Sequence, residues 1–165
     1  MKKFLIFGAL LVLILAACSK QGAPLTLVIQ WQKADTDACL ACQNTAVQAK
    51  DIQKAFEKLT KELAAKGIRV ELVEKKAEVD TANPELANGQ IWMGNVPVDG
   101  WLNGAATQGK ICPACPAGPR GKGHLHKSLV VDGQVYDPIP VDLMVRAGLA
   151  AAGSLKANPN TDNSH

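Results

Sequence analysis

Leu25-Thr26-Leu27-Val28-Ile29-Gln30-Trp31 is an almost continuously apolar run, the pattern of a central strand covered on both faces. Beyond it Ala49, Ile52, Phe56, Leu59 and Leu63 recur at three- and four-residue steps, which makes an amphipathic helix, and Gly67 follows as its stop. Glu57 with Lys61 and Glu62 with Lys66 stand at i,i+4 in the favourable orientation for surface pairs. Ile68-Arg69-Val70-Glu71-Leu72 then alternates cleanly, as a half-buried strand does. Two strands joined through a helix are normally parallel, so residues 25–72 read as a βαβ unit.

The chain after this unit changes character. Ala77 to Gln90 is polar and broken by Asn83-Pro84 and Asn88-Gly89, with room for one short helix. Two candidate hairpins follow. One joins Gln90-Ile91-Trp92-Met93 to Val96 through Leu102 across a Gly94-Asn95 turn, and the other joins Ser128 through Val131 to Gln134 through Tyr136 across Asp132-Gly133. Pro140 suits a helix start, and Val141, Met144, Val145 and Leu149 supply an apolar stripe. The expected fold class is α/β: a βαβ unit, then β-hairpins, then a C-terminal helix. No internal repeat and no second hydrophobic span interrupts this order.

The N-terminus reads as an address. Lys2 and Lys3 precede an apolar run from Phe4 to Leu15, too short to span a bilayer stably, and Leu15-Ala16-Ala17-Cys18 has the small residues and cysteine of a lipoprotein cleavage site. The competing reading is an uncleaved membrane helix with an incidental cysteine. On the lipoprotein reading residues 1–17 are a signal peptide, Cys18 is lipidated, 18–24 form a tether, 25–155 fold, and 156–165 form a disordered polar tail. Several acyl chains hold a protein far more firmly than one, at about 0.8 kcal/mol per buried methylene. The expected location is the cell envelope, on the outer side of the plasma membrane or, by resemblance of Cys18-Ser19 to Gram-negative lipoproteins, on the outer membrane.

Cleavage leaves 148 of the 165 residues, enough for one domain with a proper core. Loss of Lys2 and Lys3 takes the formal charge from +3 to +1, which removes any basic field that would argue for nucleic acid. Gly104 to Lys110 (GAATQGK) imitates a phosphate-binding loop, but Ile111 stands where a magnesium-binding hydroxyl is needed and a Pro-containing Cys pair replaces the required helix. No nucleotide is expected. The three histidines, two in a Gly-rich stretch and His165 in the tail, offer no Ser-His-Asp arrangement.

The chemistry lies in two Cys-x-x-Cys pairs. Cys39-Leu40-Ala41-Cys42 falls between the first strand and the first helix, where a helix N-terminus stabilises a thiolate. With Cys39 as nucleophile and Cys42 as resolver, the pair suits thiol-disulfide exchange with a protein or small-thiol partner. Asp35 and Asp37 stand nearby, and a carboxylate close to Cys39 would raise its pKa. Cys112-Pro113-Ala114-Cys115 is followed by Pro116, Gly118, Pro119, Gly121 and Gly123, which forbid a helix. This second pair reads as a loop-stiffening disulfide, a relay that exchanges with Cys39 and Cys42, or half of a metal site. Separation of the pairs by 69 residues weakens a four-thiolate zinc motif. A local set of Cys112, Cys115, His124 and His126 would suit tetrahedral zinc, and four thiolates brought together would suit a softer ion or metalloid. The third class is a structural lipoprotein with two inert disulfides.

Strand, Cys-x-x-Cys, helix, parallel strand, hairpin and closing helix together resemble the thioredoxin-like fold. More narrowly the chain resembles a thioredoxin-like family of bacteria and archaea known only as a domain of unknown function. The resemblance rests on Val28-Ile29-Gln30-Trp31 before Cys39-x-x-Cys42 with Thr45, on Gly67-Ile68-Arg69-Val70, on Ile91 to Leu102, on the second Cys cluster, and on Pro138-Ile139-Pro140. It implies a fold and no established activity. One feature departs from thioredoxins, which place a cis-proline directly before the strand facing the active-site pair: here Gln90 precedes Ile91, and Pro97 and Pro140 are the nearest prolines considered.

Overall fold

The computed structural model describes residues 24–32, 47–75, 90–111 and 125–157. The signal sequence, Cys18, the tether, the segment 76–89 and both Cys-x-x-Cys pairs lie outside the described residues. Among the described residues the architecture is mixed α/β, with two α-helices and two sheets.

β1 (Leu25–Gln32) leads to α1 (Ala49–Ala64) and β2 (Ile68–Lys75), and β1 and β2 pair in parallel from Leu25↔Ile68 to Gln32↔Lys75. The βαβ reading therefore holds. β3 (Ile91–Met93) runs antiparallel to β1, with Gln30 opposite Trp92, and β4 (Val96–Pro97) closes the first sheet in the order β2-β1-β3-β4. β1 is a central strand as expected, but its two faces differ. Leu27, Ile29 and Trp31 are buried, while Thr26, Val28 and Gln30 on the opposite face are half-buried.

α1 ends where Gly67, at φ 70°, adopts the left-handed conformation that a side chain would resist, and its N–H donates to the Ala64 carbonyl at 3.0 Å. Its buried side is Ile52, Ala55, Leu59 and Leu63. Glu57 and Lys61, and Glu62 and Lys66, do not pair. Glu57 instead accepts from Gln53 at 3.0 Å, and the ion pairs on α1 are Asp51 with Lys54 and Lys58 with Asp142. A strongly hydrated surface lysine gains little from either partner, so local spacing does not decide the choice.

The first hairpin is shorter than its sequence suggests. After Pro97 the chain turns into a 3-10 helix, Val98–Trp101, instead of continuing as strand to Leu102. Pro97 has no N–H for a ladder. The turn is held by the Trp101 indole, which donates to the Met93 carbonyl at 3.0 Å. Gly100 suits the close approach there, since a Cβ would stand 2.7 Å from Val96 Cγ1.

β5 (Ala106–Ile111), β6 (Leu125–Val131) and β7 (Gln134–Tyr136) form a second, antiparallel sheet with β6 in the middle. The stretch that imitates a phosphate loop is thus largely an edge strand. Asp132 (φ 51°) and Gly133 (φ 78°) make the tight turn between β6 and β7, both with the positive φ of a type I′ hairpin. The Asp137–Pro138 peptide beyond β7 is cis.

α2 (Val141–Ala157) opens with Leu143 and Met144 N–H groups donating to the Pro140 carbonyl, and it continues two residues past the 155 boundary drawn from sequence, so Lys156 and Ala157 belong to the helix. α1 packs on β2, α2 packs on β1 and β3, and the helices pack on each other, which puts both on one face of the first sheet. Gly148 permits this contact: a Cβ there would sit 2.5 Å from Leu59 Cδ1. The core joins Leu27, Ile29, Ile91 and Met93 of the sheet to Leu59 and Leu63 of α1 and Met144 and Ala147 of α2.

Candidate functional site

Cys39 and Cys42 fall in the connection from the carboxyl end of β1 to α1, and Cys112 follows β5 directly. These residues, with Cys115, His124, Asp35 and Asp37, lie outside the described residues, so what is on view is the frame from which their segments depart. His126 is described as backbone alone, paired with Lys110. Among the described residues no group of three His, Cys, Asp or Glu side chains is arranged to hold a metal. No helix among them is long and apolar enough to cross a membrane.

α1 begins at Ala49, seven positions after Cys42, with Gln48 extended before it (φ −78°, ψ 149°). Its free N–H groups thus belong to the turn that starts at Ala49, and the dipole effect falls off within that turn. Cys39 and Cys42 lie outside the described residues, so their expected place at a helix N-terminus falls there as well. The apolar repeat begins only at Ala49 and Ile52, and a helix starts where its buried stripe starts.

At the end of β1 the backbone is tied to the start of β3. Gln32 N–H donates to the Gln90 carbonyl at 2.9 Å, and Gln90 occupies the position directly before the strand. Trp31 is buried beside this junction in sequence, and its indole N–H has no hydrogen-bond partner among the described residues. Lys75, at the carboxyl end of β2, lies 5.3 Å from the Trp92 ring centroid, within cation–π range.

Gln90 and Ile91 also form one wall of a cleft of about 170 Å³ between the two sheets. Val98 and Asp99 continue that wall, and Thr107, Ser128 and Leu129 form the other. Thr107 Oγ1 donates to Asp99 Oδ2 at 2.7 Å across the gap between the 3-10 helix and β5. Ser128, a buried polar residue, donates to Asp137 Oδ2 at 3.2 Å. The segment that carries Cys39 thus leaves from a residue bonded to one wall, and Cys112 stands five positions beyond Thr107 of the other.

Sequence reading missed these cleft residues. With Ile139, which also lines the cleft, they come from five separate stretches, and no one stretch has a pattern that marks it.

Residues 27–148 match the family model described as Domain of unknown function (DUF2703), which takes in nearly all of both sheets and the first half of α2. The chain belongs to this family. The DUF2703 match begins inside β1 and ends inside α2, so it contains both Cys-x-x-Cys pairs and the whole cleft lining. No curated protein and no solved structure matches the chain.

Proposed function

We propose that this DUF2703 chain is a membrane-tethered, extracytoplasmic thioredoxin-like protein that exchanges disulfides through Cys39 and Cys42. The observation that carries the proposal is where the first pair departs: from the carboxyl end of β1, beside the parallel strand β2, in a sheet built as strand, helix, parallel strand and antiparallel hairpin under a closing helix. Crevices outside the carboxyl ends of strands are where open α/β sheets carry their chemistry. The same element order supports the thioredoxin-like reading of the fold.

In the proposed step the Cys39 thiolate attacks one sulfur of a substrate disulfide. A Cys39–substrate bond forms, the substrate S–S bond breaks, and the departing thiolate takes a proton from water. The Cys42 thiolate then attacks the Cys39 sulfur and releases the second substrate thiol. Two electrons pass from the dithiol to the substrate, and Cys39 and Cys42 end as a disulfide. Where the acceptor is a Cys112–Cys115 disulfide of the same chain, the two electrons pass to it by the same exchange, and Cys112 and Cys115 end as thiols.

A redox-buffer titration of the full chain, with each pair followed by mass spectrometry, tests this. The expected result is a potential for Cys39/Cys42 well above about −300 mV, with a substrate adduct trapped on Cys39 in the Cys42→Ser variant. Potentials below that value for both pairs would identify inert structural bonds and end the proposal. Stoichiometric zinc or copper in protein purified reduced, with the thiols protected by that metal, would replace it with ion binding. The tether has its own test: Cys18→Ser is expected to abolish acyl labelling and leave the leader uncleaved, and continued labelling would overturn it.

A further inference from the structure

Asp99 is the one charged side chain among the described residues that line the cleft between the sheets. A hydroxyl owns one donor and two acceptor lone pairs. Thr107 spends its donor on Asp99 and Ser128 spends its donor on Asp137, so what both oxygens have left is acceptor capacity. The carboxylate of Asp99 accepts only. No Lys, Arg or His is among the described residues that line the cleft. Ile91, Val98, Leu129 and Ile139 contribute apolar surface to the same space. The space is far above the about 10–15 Å³ that one water needs.

A group that fits must donate hydrogen bonds, carry positive charge and present methylenes to the apolar side chains. An ammonium is a compact cation with three donors, and its bonds to a carboxylate are about twice as strong as neutral ones. A carboxylate or phosphate ligand would stand against the Asp99 carboxylate, a like charge. We propose that this cleft is a binding site for a primary ammonium on a short unbranched aliphatic stem. The ammonium is held by Asp99 and the Thr107 hydroxyl oxygen, with the stem against Ile91, Val98 and Leu129. Such a group is carried both by a free amine and by a lysine side chain of a polypeptide. The site rests on described residues alone and is independent of what the cysteines do.

Titration of the isotope-labelled full chain, in zwitterionic detergent, with n-butylammonium chloride tests the site through its amide resonances. Saturable shifts are expected at Ile91, Asp99, Thr107 and Leu129. Butanol, which has the same stem and no charge, is expected to bind at least tenfold more weakly, and butyrate is expected not to saturate. Asp99→Asn retains an acceptor for Thr107 and removes the charge, and it should weaken butylammonium by about tenfold, the effect of one charge-assisted hydrogen bond. A Gly-Lys-Gly peptide with blocked termini distinguishes the two sources. Shifts at the same four amides assign a polypeptide lysine, and silence with butylammonium still binding assigns a free amine. The proposal is overturned if butylammonium gives no saturable shift, if butanol matches it, or if Asp99→Asn binds it unchanged.

Discussion

The two sheets differ in how much of themselves they bury. In the first, Leu27, Ile29 and Trp31 of β1, Ile68 and Val70 of β2, and Ile91 and Met93 of β3 all enter the core beneath the two helices. In the second, residues 106–109 of β5 are exposed throughout, Val135 of β7 is 57% exposed, and Ser128, Leu129 and Val131 of β6 are buried. One sheet is held by apolar surface removed from water, while the other is attached through its middle strand and held laterally by backbone pairing. The first can therefore fix a position precisely, and the second can present polar groups such as Thr107 to a cleft without unpicking the core.

The sharpest way to break this comparison is to empty the core on each side. Ile29→Ala, at a fully buried site in the central strand, is expected to cost about 2–5 kcal/mol in urea unfolding, in the range of large-to-small core changes. Leu129→Ala should fall in the same range, because Leu129 is buried although its sheet is thin. A cost under about 1 kcal/mol for Leu129→Ala would mean that the second sheet contributes nothing to the core. Next in size is Gly148→Ala. Its new Cβ would press on Leu59 Cδ1 at 2.5 Å, and overpacking of this kind costs about 1–3 kcal/mol. Combined with Leu59→Ala the penalty should shrink, since the two sites share one space, and strict additivity of the two changes would show that the helices do not meet there.

Trp31→Phe should cost much less than either core change. It removes apolar ring atoms from the core, but it also removes a buried N–H that has no partner among the described residues, and such a group carries a desolvation penalty of about 1–3 kcal/mol. The two effects offset, and a net change within about 1 kcal/mol is expected from the same unfolding measurement. A loss above about 2 kcal/mol would show that the indole N–H is bonded in solution.

What the sequence could convey follows the same division. β1, α1 and β2 were legible because burial imposed a period on their side chains: alternation at Ile68, Val70 and Leu72, and three- and four-residue steps from Ile52 to Leu63. The β6–β7 turn was legible from Asp132-Gly133, since few dipeptides accept two positive φ values. β5 was not legible, because Ala106-Thr107-Gln108-Gly109 buries nothing and is held by its neighbour's backbone. The early end of β4 was also hidden, for it depends on a long-range bond from Trp101 to Met93 and on the crowding at Gly100. The two Cys-x-x-Cys spacings are plain in the sequence, and both pairs lie outside the described residues. The cleft is visible only once the fold brings residues 90, 99, 107 and 128 together.

The smallest effect sits where the helices meet solvent. Lys58 Nζ lies 2.9 Å from Asp142 Oδ1 and ties α1 to α2, yet the two side chains are 54% and 85% exposed. An exposed pair gains modest Coulomb energy and loses side-chain entropy, so a double-mutant cycle of Lys58→Ala and Asp142→Ala is expected to give a coupling of about 0.2–1 kcal/mol. Raising the salt to about 1 M shortens the screening length to about 3 Å and should remove most of that coupling. The helices would then stay docked through their buried side chains, Leu59 against Gly148 among them, which is what burial on one face of the first sheet predicts. A coupling well above 1 kcal/mol that persists at 1 M salt would show instead that this ion pair is shielded from water, and that the helix pair owes part of its docking to charge.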